Sequence, residues 1–111
     1  MPINTQSVTV LIACPIVPDK VDLARREFTA IISTVVTNEA ACRSIRLQLD
    51  IDDPNRLLLI EEWDSKEAFT GPHMQTPHMQ AFLQRAKEFL AGTPEFRFGR
   101  EIATAPLSTW R

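Results

Sequence analysis

Residues Arg43–Asp64 read RSIRLQLDIDDPNRLLLIEEWD. Ile45, Leu47, Leu49 and Ile51 alternate with Ser44, Arg46, Gln48 and Asp50, the period-two pattern of a half-buried strand. Asp52-Asp53-Pro54-Asn55 is a turn by composition, since Asx side chains bond their own backbone and proline presets φ. Arg56–Asp64 then alternates again. Leu57, Leu59, Glu61 and Trp63 share one face, and Leu58, Ile60, Glu62 and Asp64 share the other. The whole stretch is predicted to be a hairpin of two strands, 43–51 and 56–64.

Upstream, Val21, Ala24, Phe28, Ile31, Ile32 and Val35 recur at steps of three and four. That spacing predicts a helix over about 20–37, with Asp19 as its cap and Asn38 as its stop. Before it, Val8–Val17 is a β-branched run, apolar on both faces, which predicts a central strand ended by Pro15 and Pro18. Downstream, Ser65 caps a short helix that Gly71-Pro72 is expected to stop. Thr76-Pro77 opens another helix, a hydroxyl at the cap and proline in the first turn. Its apolar face is Met79, Phe82, Leu83, Ala86, Phe89 and Leu90, and Gly92 ends it. Residues 95–103 alternate once more as a last strand, and the tail holds Pro106 and Trp110.

The element order is β-α-β-β-α-β. Right-handed crossovers put both long helices on one face of the sheet. The other face stays uncovered and carries apolar side chains, so it must meet a second subunit or a ligand. Strands one and two are not neighbours in that topology, which disfavours a Cys14–Cys42 bridge.

Composition narrows the classes. The chain has 111 residues, 44% apolar and 23% charged, an ordinary globular balance for one domain. The core is placed at about 8–102, with a tail over 103–111. The net charge is −2, and Arg25-Arg26 and Lys87 sit among acids. No basic stripe exists for nucleic acid or a membrane surface. No apolar run is long enough to span a bilayer, and no signal peptide is evident at the start. Two cysteines without CxxC spacing read as small buried hydrophobes in a reducing cytoplasm. Three glycines, none in a phosphate-loop pattern, exclude a nucleotide fold.

Two stretches carry chemistry: Glu61-Glu62-Trp63, and His73-Met74-Gln75-Thr76-Pro77-His78. Together they resemble the antibiotic biosynthesis monooxygenase family, with its E-x-W ending the third strand and H-x-x-[ST]-P-H opening the last helix. The similarity reaches from about Val8 to Ile102 and is closest over 58–82. It implies a ferredoxin-like α+β fold, an antiparallel four-stranded sheet with helices on one face, paired into a dimeric α+β barrel. It implies a cofactor-free monooxygenase acting on a quinol-like or polycyclic phenolic substrate, although other members degrade haem or isomerise small phosphorylated sugars. This chain departs from the pattern in one extra residue between Trp63 and His73, in Glu39-Ala40-Ala41 where a glycine is usual, and in having no tyrosine.

His78, near the second position of the last helix, and His73 are the candidate catalytic residues. The positive end of a helix disfavours a cation there, so His78 suits a neutral general base or a ligand anchor. The alternative is a structural histidine that satisfies its own helix end or a neighbouring carbonyl, as helix-terminal polar residues routinely do. No third histidine or metal-ligand spacing accompanies the pair, so no metal is expected. Trp63 could stack on an aromatic substrate or simply pack in the core. Glu61, an acid on an apolar strand face, needs a partner such as Arg46 or Arg97 if buried. Phe28 and Phe82 are core or pocket wall. Two further readings stay open: an isomerase of a small phosphorylated carbonyl compound, with Arg46 or Arg97 clamping phosphate, and a non-catalytic dimeric ligand-binding domain.

Overall fold

The computed structural model describes residues 7–106; Trp110 lies outside them. Strands β1 (Val8–Pro15), β2 (Cys42–Leu49), β3 (Arg56–Trp63) and β4 (Glu95–Gly99) form one antiparallel sheet in the order β2-β3-β1-β4. The two strands apolar on both faces, β1 and β3, take the centre, where each gains a partner on both sides. Helix α1 (Val21–Asn38) joins β1 to β2. A single turn, α2 (Lys66–Ala68), and helix α3 (Pro77–Ala86) lie between β3 and β4. This is the ferredoxin-like α+β arrangement.

The strand register sorts the side chains. Ile45, Glu61, Val10 and Phe98 form one row across the sheet on the helix side, and Leu47, Leu59, Ile12 and Phe96 form the next. Against them α1 buries Ala24, Phe28, Ile31 and Val35, while α3 buries Phe82 and Ala86. The opposite face carries the row Arg46, Ile60, Leu11 and Arg97. None of the described elements covers it, and Leu11 is 44% exposed.

Several boundaries differ from the sequence reading. β2 stops at Leu49 and β4 at Gly99, which leaves Ile51 and Ile102 almost fully exposed. Both lie beyond the last ladder partner, so alternation alone did not carry the strands that far. Asp19 does not cap α1: it lies in a 3-10 turn, Pro18–Lys20, and the helix begins after Lys20. α3 ends at Ala86, not Gly92. The chain then turns back so that Phe89 is fully buried and Leu90 bridges Ile16. Thr76 and Ser65 are caps as expected, their hydroxyls accepting from Met79 N at 3.2 Å and Ala68 N at 3.1 Å.

The largest departure is at Gly71-Pro72. The pair does not stop the helix. Residues Phe69–His73 continue from α2 as one π-helical turn that includes Pro72. A π turn takes in one more residue than an α turn and is common where side chains must be re-aimed. Here it turns both Phe69 and His73 inward, and both are buried.

Phe28, Phe82 and Phe89 form a triangle of rings with centroids 5.2, 5.7 and 6.2 Å apart. Phe89 is the least exposed of the three. Phe89→Ala is expected to destabilise the fold by roughly 3–5 kcal/mol, measured by urea unfolding.

Candidate functional site

Glu61 and Trp63 point to the same face of β3, two residues apart. The buried indole Nε1 donates to Glu61 Oε1 at 2.8 Å. This is the partner of the buried acid. Arg46 and Arg97, the partners expected from sequence, register on the opposite face and are exposed. With no cation beside it among the described residues, Glu61 has its pKa raised from 4.5 to about 7, first by burial and then by the Glu39 charge, against the lowering effect of the indole bond.

Glu39, just past the end of α1, ties the two histidines together. His73 Nδ1 lies 3.0 Å from both carboxylate oxygens, and His78 Nε2 lies 2.6 Å from Oε2. A carboxylate only accepts, so each imidazole places its N–H on Glu39. That fixes His73 with its lone pair on Nε2. Burial is the main cause lowering the His73 pKa, and the neighbouring His78 lowers it further; the bond and charge of Glu39 oppose them. The ring of His73 stacks on Phe69 at 5.2 Å and lies 4.4 Å from Trp63.

Between the sheet and α1 and α3 lies a cavity of about 90 Å³. Its walls are apolar, with Phe28, Phe69, Phe82, Phe96 and Met79 among them, and among the described residues its only ionisable oxygen or nitrogen groups are Glu61 and His73. Phe28, Phe82, Glu61 and His73 of the sequence candidates therefore reach it. Trp63 does not line it: the indole is fully buried behind Glu61 and His73. His78 does not line it either; its side chain is 22% exposed and turned to Glu39. Cys14 faces the cavity as a thiol pushed up to about 12, chiefly by burial, and Cys42 is likewise raised to about 12. Neither is an activated nucleophile, and both are free. Among the described residues no group of three or more His, Cys, Asp or Glu could hold a metal ion.

Glu39 was missed by sequence reading. Its signal was an acid at a helix C-terminus, where the macrodipole disfavours negative charge. Such a residue needs a cationic or N–H partner, and the two histidines supply it.

Fold and cavity together define a small ferredoxin-like protein with a chamber between sheet and helices. The chain belongs to the antibiotic biosynthesis monooxygenase family, which it matches over residues 7–85. No curated protein is similar enough to match it. Solved structures of the same fold include a Nitrosomonas europaea protein named for this family, with 13% identity, a TM-score of 0.81 and 96% and 98% of the two chains covered. A Caulobacter crescentus protein, also named for the family, is 18% identical with a TM-score of 0.81 over 91% and 94%. A Mycobacterium tuberculosis protein is 24% identical with a TM-score of 0.77 over 90% and 99%. No helix among the described residues is long and apolar enough to cross a membrane.

A carboxyl group whose pKa is raised on folding stabilises the protein while protonated and loses that contribution as pH rises through the folded value. Wild type is therefore expected to lose stability relative to Glu61→Gln between pH 4.5 and about 7. The steepest loss is about 1.4 kcal/mol per pH unit, and the difference is flat above that window. His73 acts in the opposite sense but is present in both proteins. Urea unfolding of the pair across pH measures the difference.

Proposed function

We propose that the protein is a cofactor-independent monooxygenase of a small quinol-like substrate, with His73 as the general base. The observation that carries this reading is the pairing of His73 with Glu39 at the wall of an apolar cavity. Glu39 holds the Nδ1–H, so Nε2 is left to accept a proton from a bound hydroxyl. Burial keeps the ring neutral and ready to accept. The electron-rich anion then reduces dioxygen. One oxygen atom enters the ring and the other leaves as water, the quinol supplying all the electrons. The protein's share is to desolvate, orient and deprotonate.

Cavity size favours one ring over several. Ligand pockets usually measure roughly 300–1,000 Å³, and an engineered cavity of roughly 150 Å³ accepts benzene. About 90 Å³ suits a single ring once the flexible Met74 and Met79 side chains yield. A polycyclic phenol or a haem would need a much larger displacement of the walls. The isomerase reading requires a phosphate clamp, yet among the described residues no arginine or lysine lines the cavity. His78 is assigned to hold Glu39 and not to touch substrate, and Trp63 to hold Glu61.

The chain is further proposed to form a homodimer through its open sheet face, as one domain in a reducing cytoplasm. Leu11, Leu58, Ile60 and Ala13 form an apolar centre there, rimmed by Arg46, Arg97, Glu62 and Glu95. Both signs of charge on one rim suit a two-fold interface, where the same patch meets itself.

Oxygen uptake on a panel of hydroquinones is expected for wild type and to fall roughly 10²–10⁴-fold in His73→Ala. His78→Ala should lose much less, because Glu39 still holds His73. Equal losses in both variants would remove the assignment of His73 as base. Light scattering should give a dimer for wild type and a monomer for Leu11→Asp; a monomeric wild type would exclude the interface.

A further inference from the structure

Two buried polar side chains face the cavity with an atom to spare. Glu61, 5% exposed, uses Oε1 for the indole of Trp63, and among the described residues its Oε2 has no hydrogen-bond partner. His73, 3% exposed, uses Nδ1 for Glu39, and its Nε2 makes none. Among the described residues no buried side-chain nitrogen or oxygen is sealed away without a partner. These two atoms are therefore reachable from the chamber that both residues line. A buried acceptor kept open in an apolar chamber is costly unless something fills it.

We propose that this chamber takes a compact, uncharged aromatic ring bearing a hydrogen-bond donor, and that Glu61 is the specificity residue that excludes rings carrying a carboxylate or phosphate. The inference rests on reading the chamber as the ligand site, and not on turnover. Among the described residues, every group facing Glu61 leaves it without a compensating cation. β1 presents Val10 beside it and the Cys14 thiol nearby, and β2 presents Ile45 and the Cys42 thiol. The end of α1 presents Glu39, the π turn presents the imidazole of His73, and β3 itself presents Trp63. α3 contributes Met79, Phe82 and Leu83 to the chamber, and β4 contributes Phe96. An anionic ligand would meet an ionised Glu61 in a low-dielectric space, a like-charge contact that weakens binding roughly a hundredfold or more. A phenolic hydroxyl would instead donate to Oε2 or to Nε2. Protonation of Glu61, at about pH 7 and below, turns the acceptor into a donor and lifts the exclusion.

Calorimetric titration with phenol and with 4-hydroxybenzoate tests this in the intact chain. The two probes differ by one carboxylate. Wild type should bind phenol from about pH 5.5 to about pH 8.5. Its affinity for 4-hydroxybenzoate should fall about tenfold per pH unit above the Glu61 transition. Glu61→Gln keeps an oxygen for the Trp63 indole and should bind 4-hydroxybenzoate with no such fall. Wild-type affinity for 4-hydroxybenzoate that stays level with pH would overturn the proposal, and so would failure of both probes to bind. The wild-type pH profile decides the matter even where Glu61→Gln does not fold. Phenol binding with the exclusion intact, but no oxygen uptake on quinols, would leave this inference standing and remove the oxygenase reading.

Discussion

Glu39 follows the last turn of α1, at the end of a helix that already carries partial negative charge. A lone carboxylate there would be unfavourable and half-buried. Two imidazole N–H groups, from the π turn and from the second position of α3, offset both costs. One side chain thereby fixes three chain segments relative to one another. It also decides which nitrogen of His73 is free, which a packing contact could not do. Without that bond His73 would be an apolar-walled imidazole of either tautomer, and the chamber would lose its directed acceptor.

The fold was readable because its elements repeat simple periods. Alternation over 43–51 and 56–64 and the 3.6-residue stripe over 21–35 correspond to β2, β3 and α1. The ends were less readable: Ile51 and Ile102 continue the pattern but have no strand to pair with. The candidate site was readable only in part. His73, His78, Glu61 and Trp63 stand out by residue type, yet their roles depend on contacts between residues far apart in sequence. His73 and His78 meet Glu39 across 34 and 39 residues, a closeness no local pattern carries. The Gly71-Pro72 pair misleads for a different reason. Its composition signals a stop, but tertiary packing of Phe69 against Trp63, Phe96 and Phe98 holds the segment in a helical π turn.

The same topology produces both the chamber and the bare face. Two helices on four strands can seal only one side. On that side the Phe28, Phe82 and Phe89 rings pack between α1 and the α3 segment, and the edge residues Phe96 and Phe98 remain exposed. Edge aromatics of this kind form a wall that does not need to be packed as tightly as the core below it.

Placing a carboxylic acid in such a chamber has an electrostatic consequence that ties the two halves of the site together. Glu61 receives one hydrogen bond, from a neutral indole, while the nearby Glu39 receives bonds from two imidazoles. The negative charge of Glu39 is among the causes that raise the pKa of Glu61 to about 7, so near that pH Glu61 is about half protonated. A bound hydroxyl that gives its proton to His73 creates an anion next to Glu61. That anion is tolerated best when Glu61 holds its own proton and donates it as a hydrogen bond. In the proposed reaction the two groups would divide the work by protonation state: a neutral imidazole accepts a proton, and a neutral carboxylic acid beside it stabilises what is left behind. Lowering the Glu61 pKa, as Arg46 or Arg97 would have done had either faced it, would remove the donor and, in the proposed reaction, leave two negative charges facing one another in an apolar space.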